Sequence, residues 1–226
     1  MSCINKDKID IDELRKSQKI LKEIKFETQR LGKGYADRIM AINVRKMDME
    51  IKPVNMELKE KFIGGRGYGM KLLWDAANDN TKWDSEENEI VIAQGPIAGI
   101  TQYGGSGKSY VTTISPLTNI PIDSNVGGHF GPLFKFCGFD ALEITGKSEK
   151  DIVIYIDGDE GYISFQEFDT EIQDSHLLAE IFTEFYSKNE DDKKNIAVVS
   201  TGSAANHTNF GLLNFSYYDI HRKHTK

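Results

Sequence analysis

Residues 123–147 read DSNVGGHFGPLFKFCGFDALEITGK, and the fold follows from how this stretch is parsed. Asn125 to Gly131 reads as a turn, because glycine takes tight and left-handed backbone freely and is disfavoured inside helices and strands. A short helix around Leu133 to Phe136 comes next, and Ala141 to Thr145 reads as a strand. The same order occurs upstream, where Ile63-Gly64-Gly65 opens a helix through RGYGMKLLWDA and Glu89 to Ala93 (EIVIA) reads as a strand. Such a short echo arises by chance, or it marks a duplicated αβ unit that presents two equivalent glycine turns to one ligand.

Working outward, Arg38 to Asn43 (RIMAIN) is a strand with Met49 to Pro53 as its hairpin partner. Tyr110 to Ile114 (YVTTI) is rich in β-branched residues and reads as another strand. Strands follow at Ile152 to Ile156 and, after a turn through Gly158 and Gly161, at Tyr162 to Phe165. Leu178, Ile181, Phe182 and Phe185 repeat at the spacing of an amphipathic helix. The run NEDDKK reads as a solvated loop, and Ile196 to Val199 as the last strand. At the other end, residues 10–31 read as an amphipathic helix: Asp10 and Glu13 have capping-box spacing, Leu14, Leu21 and Ile24 repeat helically, and Gly32 and Gly34 stop it. Strands and helices mix without regular alternation, which gives an α+β class.

Composition narrows the function. The 226 residues suffice for one large domain or two small ones with a real core. A formal net charge of −7 argues against nucleic acid as the main partner. There is no run of 18 apolar residues and no apolar N-terminal signal, so neither a membrane span nor secretion is expected, and the reading is cytoplasmic. Only Cys3 and Cys137 occur, too few for a cysteine zinc site or an iron–sulfur cluster. Cys137, among Phe134, Phe136 and Phe139, reads as a small core residue.

Ten of the twenty glycines fall between Gly95 and Gly146, where the only charges are Lys108, Asp123, Lys135, Asp140 and Glu143. An anion can therefore bind there locally on backbone N–H groups and a lysine or two. The string GGSGKS within this region is not a Walker A loop. That motif needs a glycine five residues before Gly107, where Gln102 stands, and a helix after the lysine. Here YVTTISP follows, β-branched and ending in proline, so no helix N-terminus gathers N–H groups around a phosphate. The GxG patterns at residues 65–69 and 105–107 lack the full setting of a dinucleotide fingerprint. The remaining reading from the residues alone is that the glycines serve tight turns.

The strings IGGRGYGMKLLWD, EIVIAQGPIAG, SGKSYVTTISPLT, DSNVGGHFGPLFKFCGFDALEITGKSEKDIVIYI and IAVVSTGSAANHTNFGLLN occur in that order. Together they resemble the N-terminal domain of the tungsten-dependent aldehyde ferredoxin oxidoreductase family over about residues 38–214. The resemblance implies an α+β fold of two intertwined αβ repeats, a mixed-sheet base for a tungsten (or molybdenum) bis-pterin cofactor whose phosphates a magnesium ion bridges. Residues 35–220 would form this domain, with 1–34 an additional N-terminal helical extension and 221–226 a truncated tail. It also implies oxidation of an aldehyde substrate to a carboxylic acid, with electrons passing through a [4Fe–4S] cluster to ferredoxin.

Carried over by position, Asn125 matches an asparagine near the bridging magnesium, for which an amide carbonyl is a suitable hard donor. Gly127 matches a glycine whose N–H faces a pterin phosphate. Lys108 stands where many members have a phosphate-binding arginine; it keeps the charge but loses the bidentate fork, and its other reading is an exposed lysine beside a strand. Arg66 and Gly128 are expected neighbours of the cofactor, and Arg222 matches a cofactor-proximal His-Arg pair. His129 reads as structural or solvent-facing rather than as a ligand. The family continues into a glycine- and arginine-rich loop and two helical domains that carry the cluster cysteines and the acid–base residues. These 226 residues contain no CxxC and no acid–base pair in a shared context, so the chain alone is expected to be inactive. A scaffold or partner-binding subunit that retains the fold, and a remnant of a disrupted gene, are the other readings.

Overall fold

The computed structural model describes residues 10–100, 102–169, 172 and 174–226; Cys3 lies outside them. Asp10 caps the first helix by accepting the Asp12 N–H at 2.8 Å. That helix, α1 (Ile11–Ser17), is short, and strand β1 (Lys19–Lys25) follows at once. The single helix expected over 10–31 is therefore corrected to a helix and a strand. The misleading signal has a physical origin. A bulge interrupts the β1 register between Ile20 and Lys22, and both Leu21 and Ile24 pack on the main core. An extra residue in a strand shifts the pleat, so a three-residue apolar spacing arises without a helix.

The chain then forms β2 (Arg38–Asn43), β3 (Asp48–Pro53), α2 (Met56–Phe62), α3 (Arg66–Ala76) and β4 (Ile90–Ala93). β5 (Ser109–Ile114), β6 (Pro121–Val126), α4 (Phe130–Phe136) and β7 (Ala141–Thr145) repeat that order of hairpin, glycine turn, helix and strand. These strands make one six-stranded mixed sheet in the order β3-β2-β7-β4-β5-β6. The order is palindromic when the two halves are exchanged, so each half's last strand is inserted beside the other half's hairpin. The exchange is not a strict two-fold, because β2 and β7 are parallel while β5 and β4 are antiparallel. The echo of two glycine turns is thus an intertwined αβ repeat. β6 escaped notice in the sequence because Pro121, Asp123 and Asn125 are poor strand formers; an edge strand can begin with proline.

Pleating divides the sheet residues between two layers. Ile39, Val91, Ala93 and Ala141 face α2 and α3, packing with Leu58 and the fully buried Tyr68. Met40, Ile42, Ile92 and Leu142 face the other way. There they meet Phe134 of α4 and the second sheet, a three-stranded layer β1-β9-β8 of β8 (Val153–Asp157), β9 (Tyr162–Glu167) and β1. α5 (Ser175–Tyr186) closes a satellite core in which Leu14 packs with Ile181, Phe182 and Phe185. NEDDKK forms a 3-10 turn within Glu190–Asn195, held by Lys193 between Glu184 and Glu190. The last elements are two-residue strands: β10 (Val199–Ser200), shorter than the strand expected from Ile196, β11 (Asn214–Phe215), β12 (Tyr218–Asp219) and β13 (His224–Thr225). Cys137 packs against the main core as expected, and burial pushes its thiol up to about 12.

Lys135 and Asp140, the lysine and aspartate of the quoted stretch, form an ion pair with no solvent exposure on either side chain. Asp140 also accepts the backbone N–H groups of Ala36 and Asp37 at 3.1 and 2.7 Å, and Lys135 donates to the Gly34 carbonyl at 3.3 Å. Burial lowers the Lys135 pKa despite its partner. These two residues tie the entry to β2 to the α4–β7 connection.

Candidate phosphate-binding site

Ser109, immediately after the Gly107-Lys108 pair, is the first residue of β5, so no helix follows this lysine and the loop has no P-loop geometry. Lys108 instead leans across to the second glycine turn. Its Nζ lies 3.6 Å from where a Cβ at Gly127 would stand, and nothing else comes within 4 Å of that point. The turn itself needs glycine next door. Gly128 has φ +82°, and a Cβ there would sit 2.9 Å from the carbonyl oxygens of both Phe215 and Ser216. The His129 N–H donates to the Ser216 carbonyl at 3.1 Å, so the residue that follows the Asn214–Phe215 strand pins the turn from behind. Gly131, in the first turn of α4, is forced by close approach: a Cβ would come within 2.3 Å of the Ser109 hydroxyl.

A shallow, open cavity of about 340 Å³ results, lined by Gly105, Gly107 and Lys108 from one loop, by Gly127, Gly128 and His129 from the turn, and by Tyr217. Beside Gly131, Ser109 Oγ and both amide atoms of Gln94 are buried without hydrogen-bond partners in the protein. A single ammonium beside open glycine backbone suits a small anion.

Asn125 and Arg66 lie next to this cavity rather than in it. Asn125, on β6, is exposed and its amide donates to the Tyr110 hydroxyl at 3.4 Å. The Tyr110 ring in turn covers the first glycine turn, 3.3 Å from a Cβ position on Gly65. Arg66, the first residue of α3, pairs through Nε with Asp123 Oδ1 at 3.0 Å, two residues before Asn125. The two glycine turns are therefore neighbours across Tyr110. Arg222 is not brought in: it sits exposed in the turn between β12 and β13, near Asp219. Sequence reasoning passed over Tyr110 and Tyr217; pairing across β5 and β6 and the return of the C-terminal segment bring them here. Among the described residues no group of three or more His, Cys, Asp or Glu side chains is placed to hold a metal ion, and no helix is long and apolar enough to cross a membrane.

These observations define an intertwined α+β domain with paired glycine turns and a lysine beside open backbone. Residues 39–222 match the family described as "Aldehyde ferredoxin oxidoreductase, N-terminal domain", and the chain belongs to that family. The tungsten-containing aldehyde ferredoxin oxidoreductase of Pyrococcus furiosus is 37% identical over 123 residues, 54% of this chain and 20% of that protein. The Pyrococcus horikoshii enzyme of the same description is 31% identical over 176 residues, 76% of this chain and 27% of that protein. A solved structure of the active-site complex BamBC of benzoyl coenzyme A reductase with 1,5-dienoyl-CoA superposes with a TM-score of 0.67 at 25% identity, covering 76% of this chain and 25% of that one. The chain spans about a quarter of the length of these relatives.

Proposed function

We propose that this chain supplies the base that holds the pterin phosphates of a tungsten (or molybdenum) bis-pterin oxidoreductase. The observation that carries this is the convergence of the Lys108 ammonium and the unobstructed Gly127 backbone on one open cavity. The residues fit the group. The ammonium meets phosphate charge, the Gly127 turn lets backbone N–H groups approach without a side chain, and Gly128 keeps that turn in its left-handed form. Asn125, exposed at the rim, offers an amide carbonyl as a magnesium donor. Arg66, already engaged by Asp123, holds β6 against α3 beside that carbonyl. When bound, the metal–dithiolene centre supplies the redox chemistry that converts an aldehyde to a carboxylic acid.

Within this chain the residues of the cavity bind and orient the phosphates. The iron–sulfur cluster, the acid–base groups and the contact with ferredoxin belong to further domains or a partner subunit, and the chain alone is inactive. Expression in tungsten-supplied cells, together with a larger cysteine-containing chain of the same family type, tests this. Tungsten and pterin co-eluting with the complex support the reading, and a folded complex carrying neither overturns it.

A further inference from the structure

The sequence reads His129 as structural or solvent-facing rather than as a ligand, and the structure places it on the cavity wall with Tyr217. Their rings lie 5.5 Å apart between centroids and are inclined at 48°. Both are held from behind by backbone: the His129 N–H donates to Ser216, and Tyr217 exchanges both backbone hydrogen bonds with Lys226 at 2.9 Å. These bonds fix where the two rings sit without using the rings themselves. Lys226 Nζ stands 5.8 Å from the Tyr217 ring centroid but is engaged by Asp219 at 3.0 Å, which leaves Lys108 as the cation directed at the Gly127 backbone. Burial holds the His129 imidazole below its ordinary pKa of 6.5. Its ring at neutral pH is therefore an uncharged aromatic surface, not a second phosphate-binding cation.

The cavity thus has two chemically different sides, glycine backbone with Lys108 on one and an angled aromatic wall on the other. We propose that His129 and Tyr217 are specificity-determining residues that select a phosphate ester whose carrier is a flat ring, over phosphate alone. This rests on the phosphate-binding reading above and adds to it a preference for the ring-bearing ester. A planar group seated against aromatic faces gains stacking energy that a bare anion cannot, while both kinds of ligand share the contact with Lys108.

The test is calorimetric titration of the full chain with inorganic phosphate and with phenyl phosphate, using unfolding curves to show that each variant is folded. Phenyl phosphate should bind the wild type at least about tenfold more tightly than phosphate, the equivalent of about 1.4 kcal/mol. His129→Ala and Tyr217→Ala should reduce that preference severalfold, whereas Tyr217→Phe, which keeps the ring, should retain it. Lys108→Ala should weaken both ligands alike. Equal affinities for the two ligands in the wild type, or a preference that survives both alanine variants, overturns the aromatic wall while leaving the phosphate site standing. Binding of neither ligand overturns the phosphate site itself.

Discussion

Lys135 shows how a charged residue of a glycine-rich stretch can serve the fold. Its ammonium and the Asp140 carboxylate are both fully buried, and the carboxylate also holds the Ala36 and Asp37 N–H groups. Removing one partner strands the other charge, which costs about 3–5 kcal/mol. Lys135→Met should therefore lower the denaturant midpoint sharply, and the double change Lys135→Met with Asp140→Asn should recover part of the loss in the same measurement. Glu89 makes a second prediction at this scale. It is buried beside Glu143, itself paired with Lys52 at 2.9 Å, and burial plus the Glu143 charge pushes its carboxyl up to about 8. The folded state thus holds a proton that the unfolded chain, with an ordinary carboxyl near 4.5, releases. Stability from this group is present below the unfolded pKa and is lost as pH rises through about 8, by at most about 1.4 kcal/mol per pH unit. Glu89→Gln should remove that falling limb, so unfolding free energies of wild type and variant compared at pH 6 and pH 9 should differ more at the higher pH, with the variant gaining.

At the scale of elements, β1 is the segment that the sequence misrepresented. Its bulge placed Leu21 and Ile24 on one face at helical spacing, and a single chain has no signal that separates such a strand from an amphipathic helix. Most other elements were legible because their patterns were strong: RIMAIN alternates between two buried faces, and Leu178 to Phe185 repeats over two turns. The site was half legible. Lys108, Gly127 and Gly128 could be placed together through the resemblance, since turn glycines and a lysine carry their chemistry in sequence. Tyr217 could not be, because it reaches the cavity only through the backbone pairing of residues far apart in the chain. β1 lies before the family match at residues 39–222 but pairs along β9 from Lys19↔Glu167 to Lys25↔Tyr162. A chain starting at Phe26 lacks α1 and β1, and the loss of Leu14's burial against Ile181, Phe182 and Phe185 alone should cost about 1.5–3 kcal/mol. It should also leave the β9 edge open to association, which thermal unfolding and light scattering would register together.

At the scale of the whole molecule, two interleaved halves bring two glycine turns to either side of Tyr110, and the C-terminal segment returns to brace the second turn from behind. Function is then a property of position. The sheet holds the turns, the turns hold open backbone, and Lys108 places its ammonium over it. The measurement that bears most directly on this account is the metal and pterin content of the assembled complex, with wild-type chain and with Lys108→Glu, each confirmed as folded. The account predicts tungsten or molybdenum with pterin in the wild-type complex and a large loss of both in the variant; equal loading of the two would contradict it.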